Sequence, residues 1–252
     1  TNTVTVVNDY YVAHNGLTLT AEVYDLSSNK VWSKSATVNV PADGVANDVF
    51  TIVFPATLTQ VHFIKLRLTD AEGRLVGDNF YWRSKDTDNG QRYQASGPCA
   101  SGFETLSQMP RTTVEYTVTE TEGDGGNHVF TVDVKNPTDK IAFFLQLQVL
   151  DAQGHAVKPC FYSDNFFTLM AGEQRTIEIE VPGYLFPNAD ATATVVSLKG
   201  WNIDDAILTA TVRATLEVPR THDAYNLLGQ KVDGMRHHGI LIYKGKKAIV
   251  KL

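Results

Sequence analysis

In the first third of the chain, apolar residues recur at every second position. Val4 to Val7, Leu17 to Tyr24, Val31 to Val40, Phe50 to Phe54 and Phe63 to Leu68 are alternating or β-branched runs, and each predicts a half-buried strand. Turn formers separate them: Asn15-Gly16, Ser27-Ser28-Asn29, Asp43-Gly44 and Glu72-Gly73. Asn15-Gly16 reads as a hairpin turn, because both central residues of a type I′ turn need positive φ. No segment in this half repeats its apolar residues at a helical period.

The alternation lapses between Arg83 and Arg111. Ser84 to Gly90 is polar and Ala95-Ser96-Gly97-Pro98 is small and turn-rich, so the stretch reads as a linker. Tyr93, Phe103, Leu106 and Met109 offer apolar side chains to dock it, with a short helical turn near Phe103 to Leu106. Strand signals then return at Thr113 to Thr119, His128 to Val134, Ala142 to Leu150, Phe166 to Leu169, Thr176 to Val181, Ala193 to Leu198 and Ala210 to Leu216. The glycine cluster Glu122-Gly123-Asp124-Gly125-Gly126-Asn127 is not a phosphate loop, because a Val/Phe/Thr strand follows where such a loop needs a helix start. It predicts a hairpin loop. The last thirty residues give a strand and turn at Tyr225 to Val232, then a compact hairpin from Gly239 to Lys251. Its lysines fit a basic patch or, more simply, an exposed edge guarded against pairing.

One phrase occurs in both halves. Asp70-Ala71-Glu72-Gly73 leads to Asp78-Asn79-Phe80-Tyr81-Trp82, and Asp151-Ala152-Gln153-Gly154 leads to Ser163-Asp164-Asn165-Phe166-Phe167. The copies lie about 80–90 residues apart, near the ~100-residue length of an immunoglobulin-like sandwich. The expected fold is all-β: two tandem immunoglobulin-like β-sandwiches over 1–84 and 112–218, a linker over 85–111, and a short C-terminal β-hairpin tail over 219–252. Thr1 to Val7 alternates from its first residue with no leader before it, so the chain reads as a piece of something longer, starting at a module boundary.

The net charge of −6 gives no basic excess of the kind nucleic-acid binders carry. No apolar run approaches the ~20 residues that span a bilayer. Cys99 and Cys160 form no Cys-x-x-Cys pair and cannot make a zinc site alone; the open alternatives are a disulfide between them or two unrelated thiols. Seven histidines include the adjacent His237-His238 but no metal-binding spacing. No cofactor fingerprint and no nucleophile elbow occurs, so no catalytic, cofactor or metal residue is assigned. Asp78 and Asp164 are the tempting acid pair, since two carboxylates ~5–10 Å apart suffice for glycoside hydrolysis. As equivalent corners of two modules they are not expected to meet. Each reads instead as an Asp-Asn turn ahead of a strand, its aromatics entering the core. Trp32, Trp82 and Trp201 are candidates for stacking on sugar rings, or for ordinary core filling.

The second module resembles the C-terminal immunoglobulin-like domain of glycoside hydrolase family 2 enzymes, in the exo-β-glucosaminidase and β-mannosidase branch. The resemblance is carried by Val134 to Phe144 with Asn136-Pro137-Thr138, by Tyr162 to Leu169 with Ser163-Asp164-Asn165-Phe166-Phe167, by Ala171-Gly172-Glu173, and by Leu198-Lys199-Gly200-Trp201-Asn202. Met170-Ala171 departs from the Leu-Pro common there. The first module resembles the preceding sandwich of the same enzymes through Leu66 to Asp70 and Asp78 to Trp82. In that family the catalytic glutamates sit on an upstream (β/α)8 barrel, for which this sequence has no βα pattern. The resemblance therefore implies a non-catalytic accessory region whose partner is that barrel, with glycan as a further partner.

Asn226 to Val232 and Gly239 to Lys247 are similar to the sorting segment of Bacteroidetes proteins exported by the type IX system. That resemblance implies an extracellular, cell-surface or periplasmic destination, where a disulfide is chemically permitted. Two rival functions stay open: a carbohydrate-binding module, which predicts glycan binding through an exposed tryptophan, and a surface adhesion module. Fold alone does not choose between them.

Overall fold

A computed structural model describes residues 2–85, 102–185 and 195–213, together with 224–225, 231–232, 239–243 and 246–250. The chain divides into two compact units, Thr1–Val212 and Arg213–Leu252. Among the described residues there are three short 3-10 turns and no α-helix. Cys99, the polar linker run 86–101, Asn226 to Gln230, His237-His238 and the ends of two expected strands (193–194 and 214–216) lie outside the described residues.

The first sandwich contains β1 (Thr3–Asn8), β2 (His14–Tyr24), β3 (Lys30–Val40), β4 (Gly44–Thr51), β5 (Val61–Thr69) and β6 (Leu75–Ser84). One sheet is the pair β1-β4; the other runs β3-β2-β5-β6, all antiparallel. Alternation does its expected work in β2, where Leu17, Leu19, Ala21 and Val23 are buried and join Val4, Val38, Phe50 and Ile64 in one core. Asn15-Gly16 is a correction. It lies inside β2 as a bulge, with the register to β3 slipping between His14 and Leu17 and Gly16 at φ +69°. A bulge consumes the same positive φ as a hairpin turn, so the dipeptide alone does not separate the two.

The second sandwich contains β7 (Thr112–Glu122), β8 (His128–Lys135), β9 (Ala142–Leu150), β10 (Phe161–Tyr162), β11 (Phe167–Leu169), β12 (Gln174–Val181), β13 (Val195–Lys199) and β14 (Ile203–Arg213). A five-stranded sheet β10-β12-β8-β7-β14 faces a three-stranded sheet β11-β9-β13 over a core that includes Val114, Val132, Leu145, Leu147, Leu169 and Ile179. The glycine cluster is a hairpin loop between β7 and β8, with Asp124–Gly126 in a single 3-10 turn. The second unit, described by itself, is a four-stranded antiparallel sheet: β15 (Ala224–Tyr225), β16 (Lys231–Val232), β17 (Gly239–Tyr243) and β18 (Lys246–Val250), in the order β16-β15-β17-β18.

The repeated phrase is one turn used twice. In each copy the aspartate carboxylate accepts two backbone N–H groups, from Glu72 and Arg74 at Asp70 and from Gln153 and His155 at Asp151, at 2.8–3.1 Å. The glycine follows at φ +78° and +80°, a conformation that a side chain resists. The second half of the phrase diverges. Asp78-Asn79-Phe80 lies in the middle of β6, whereas Asp164-Asn165-Phe166 is the loop ahead of β11. There Asn165 substitutes for a strand residue: its amide accepts the Leu147 N–H at 2.9 Å and donates to the Leu147 carbonyl at 3.0 Å. The aromatics do not all enter a core either, since Trp82 is 44% and Phe166 49% exposed.

Candidate functional site: a charged and aromatic joint between two sandwiches

Strand β5 is buried on both faces along Val61 to Lys65, which a one-core sandwich does not require. Ile64, Leu66 and Leu68 face the first core, while Val61 and Phe63 join a third cluster with Leu26, Met109, Ile141, Phe143 and Met170. That cluster is the seam between the sandwiches. Seven buried apolar side chains at about 1.5–3 kcal/mol each, an upper bound, hold the two as one body.

A bulge in β9 supplies the second half of the seam. Phe167 pairs with Leu145 but Leu169 pairs with Ala142, so β9 carries one residue too many there. Phe144 absorbs it at φ +56°. The phase of the strand flips across the bulge: Ala142 points into the second core, as do Leu145, Leu147 and Val149, leaving Phe143 and Phe144 for the seam. A row of rings results. Phe63 contacts Phe80 and Phe143 at 5.6 and 5.4 Å between centroids, Trp82 meets Phe143 and Phe144 edge-on at 5.5 and 5.8 Å, and Phe144 meets Phe166 at 5.2 Å. The row runs from fully buried Phe63 to half-exposed Phe166.

Charges cross the seam beside these rings. Lys65, with its side chain only 2% exposed, donates to Asp78 Oδ2 on the neighbouring strand. Arg175 of β12 reaches the same oxygen through Nη2 at 2.8 Å and donates through Nη1 to Asp164 Oδ2 at 2.5 Å. The Arg175 guanidinium lies 5.6 Å over the Phe167 ring. Burial pushes the Asp78 carboxyl up, but the Lys65 hydrogen bond and the Lys65 and Arg175 charges outweigh it and hold it below the usual carboxylate range. Burial pulls the Lys65 ammonium below its ordinary value against the opposing pull of Asp78. A second bridge joins Arg67 to Glu173, with Glu22 behind it held by Lys30 and Tyr24 at 2.8 Å. Ser28 Oγ accepts the Ile141 N–H at 2.9 Å.

The expectation that Asp78 and Asp164 stay apart is thereby corrected. One guanidinium gathers both. Equivalent positions in tandem modules were no guide, because only one copy of the phrase forms a loop. The geometry also decides their chemistry. A glycosidase acid must hold a proton near neutral pH, so its pKa must be raised. Asp78 is shifted the other way, and both carboxylates are bonded to Arg175. The pair is a clamp.

The three tryptophans do not form one platform. Trp32 lies on β3, half-buried against the first core. Trp82 lies on β6 at the seam. Trp201 sits in the turn between β13 and β14, its indole N–H donated to the Leu106 carbonyl at 3.1 Å. Cys160 is half-buried, donates its thiol to the Val157 carbonyl at 3.1 Å, and is pushed up by burial. A groove of about 430 Å³ crosses the outer face of β7, β8 and β12; its aromatic side chain, Tyr116, is buried and donates its hydroxyl to the Val196 carbonyl. Sequence reasoning missed Lys65 and Arg175. A lysine inside the apolar run Phe63 to Leu68 was the available signal for the first; nothing in β12 marks the second.

The segments that carried the family resemblance build this seam. Asn136 is fully buried, donates to the carbonyls of Lys140 and Met170 at 2.6 and 3.0 Å, and accepts from Thr138. Asn202, 1% exposed, donates to Pro110 and Ile141 at 2.8 Å and accepts the Phe143 N–H at 2.9 Å. Glu173 closes its own turn on the Met170 N–H and reaches Arg67.

Fold and seam together define a pair of immunoglobulin-like β-sandwich modules fused into one body. Residues 2–85 match the family model of the mannosidase Ig/CBM-like domain, and residues 93–203 that of the exo-β-D-glucosaminidase Ig-fold domain. Among curated proteins the chain is similar to the exo-β-D-glucosaminidase of Streptomyces avermitilis, 28% identical over 208 residues that make up 79% of this chain and 23% of that protein. The exo-β-D-glucosaminidase of Amycolatopsis orientalis is 27% identical over 79% of this chain and 20% of its own length. The crystal structure of Amycolatopsis orientalis exo-chitosanase CsxA superposes with a TM-score of 0.69 at 26% identity, covering 80% of this chain and 24% of that one. The chain thus spans about a quarter or less of the length of the relatives it matches.

Proposed function

We propose that the two sandwiches are the non-catalytic accessory region of an exported β-glycosidase acting on glycans, in the exo-β-glucosaminidase and β-mannosidase branch, and that they brace its catalytic barrel. The observation that carries the reading is the clamp. Asp78 and Asp164 are locked in ion pairs across a seam that fuses two modules, which suits a rigid buttress. Similarity to exo-β-D-glucosaminidases along most of this chain, but a minor share of theirs, supports it. The export proposal rests on the tail's sorting-like segments at 226–232 and 239–247. The test is an assay of the purified chain on aryl β-glycosides, beside the same chain joined to the coding sequence upstream of Thr1. Turnover by the joined protein alone, through a barrel carrying two glutamates, is the expected result. Turnover by this chain alone overturns the reading.

A further inference from the structure

The described residues leave a cavity of about 240 Å³ at the mouth of the seam. Trp82 and Phe166 border it with half-exposed rings, Asn79 and Thr168 offer an amide and a hydroxyl, and Asp164 and Arg175 form its charged wall. Clamping two modules together accounts for Lys65, Asp78 and Arg175. The ring row of the seam uses one side of Trp82 and of Phe166 and leaves the other side of each open to the cavity.

Phe166 stands at φ +58° and its ring partner Phe144 at φ +56°. Bulky residues rarely occupy this region, and where they do a bulge, a turn or a functional constraint holds them there. The Phe144 conformation has a structural cause, the β9 bulge. Phe166 packs one side of its ring on Phe144 and donates its N–H to Asn165 at 3.0 Å, while about half of its surface faces solvent. Asn165 holds the strained loop by pairing with both backbone groups of Leu147. The loop thus fixes one half of the Phe166 ring against Phe144 and leaves the other half at the cavity.

We infer that this cavity is a binding subsite for one uncharged pyranose ring, stacked on Trp82 and Phe166 and hydrogen-bonded by Asn79, Thr168, Asp164 and Arg175. A pyranose has apolar C–H faces and a rim of hydroxyls, which matches aromatic walls with polar groups between them. The volume is below the ~300–1,000 Å³ of drug-sized sites, so it accepts one ring rather than a chain. Charge selects the class. Lys65 and Arg175 balance Asp78 and Asp164, so neither an ammonium nor a carboxylate on the sugar gains net attraction. The inference goes beyond the accessory-region reading and does not need it: a buttress with no sugar site remains a buttress.

The test is a titration of the full chain, followed by two-dimensional amide NMR, with methyl β-D-glucopyranoside, its 2-amino analogue and methyl β-D-glucuronide. A ligand of that size is expected to bind with Kd on the order of 1–10 mM. Saturable shifts at Asn79, Trp82, Phe166 and Thr168 are expected, with the neutral sugar bound at least as tightly as either charged one. Trp82→Ala is expected to weaken binding more than tenfold, and Trp201→Ala to leave it unchanged. Trp82 also packs in the seam, so Phe166→Gly is the second variant: it relieves the strained backbone, keeps the fold, and loses the affinity. No shift at 50 mM of any of the three sugars overturns the proposal, as does unchanged affinity in Phe166→Gly. Tenfold preference for a charged sugar overturns the neutral assignment. None of these outcomes touches the glycosidase assay, so the two readings fail separately.

Discussion

Replacing Asp78 with asparagine isolates the charge that the seam depends on most. The substitution keeps shape and removes only the negative charge opposite Lys65, whose side chain is 2% exposed. Arg175 stays beside it and now adds repulsion. Breaking a buried pair by removing one partner costs about 3–5 kcal/mol. An independent ceiling agrees: Lys65 can escape by losing its proton, and moving a lysine from about 10.4 to neutrality costs about 4–5 kcal/mol at ~1.4 kcal/mol per pH unit. For a chain of this size a loss of 3–5 kcal/mol lowers Tm by about 6–20 °C. The rescue is specific. Lys65→Met in the Asp78→Asn background removes the stranded ammonium at similar volume and is expected to restore stability to within about 1 kcal/mol. The pH dependence gives a third readout. In Asp78→Asn the folded-state pKa of Lys65 lies below its unfolded value, so the unfolded state binds more protons and stability climbs between pH 7 and 10. Thermal and urea melts of wild type, both single variants and the double variant measure all three. A loss under 1 kcal/mol for Asp78→Asn, or a double variant no better than the single, refutes the assignment of Lys65 as a buried cation held by Asp78.

Two further outcomes follow from buried polar groups. His62 is 3% exposed, lies against the tilted Phe54 ring at 5.1 Å between centroids, and has no hydrogen-bond partner at either ring nitrogen among the described residues. Burial lowers its pKa; the backbone of Gln60 and Thr59 opposes this, the charges of Arg83 and Lys85 add to it, and the net shift is downward. The unfolded chain therefore takes up that proton first, and stability falls as pH drops below about 6.5. His62→Phe should add about 1–2 kcal/mol at pH 7.5 and abolish that acid-side loss in melts from pH 5 to 8; a variant with the wild-type slope contradicts the assignment. Asn202→Ala strands the carbonyls of Pro110 and Ile141 and the Phe143 N–H. It should cost about 2–4 kcal/mol in urea titration, and a change under 1 kcal/mol would mean that water replaces the side chain.

The legible parts of this fold are those set by one strand and its own core. The alternation of β2 and of β7 announced which side chains are buried, and Glu72-Gly73 announced a turn that the repeated phrase forms again at Asp151 to His155. What depends on a second module was not legible. Phe63 and Lys65 look like the outward face of an ordinary strand until Phe143 and Arg175 arrive from 80 and 110 residues away. A local pattern cannot show that a strand has two buried faces, because period-2 alternation is also satisfied by one core and solvent. The Asn15-Gly16 error is of a different kind: the requirement for positive φ was read correctly, but turn and bulge both meet it.

The same reasoning separates what the repeat preserves from what it changes. Each module keeps the aspartate turn, which needs only five residues of its own chain. The Asp-Asn-Phe half has been put to different uses: a mid-strand carboxylate in β6 and a strained loop ahead of β11. Had both copies stayed alike, Arg175 would not bridge the two carboxylates, and the apolar seam and the Arg67–Glu173 pair would join the modules without it. Divergence lets Arg175 bridge them, and a single cation can satisfy both acids only because one is on a strand and the other on a loop that reaches toward it. The joint is therefore a product of asymmetry between two related sandwiches, and Asp164→Asn, followed in urea melts, should preserve each core while removing the loop's half of the bridge to Arg175.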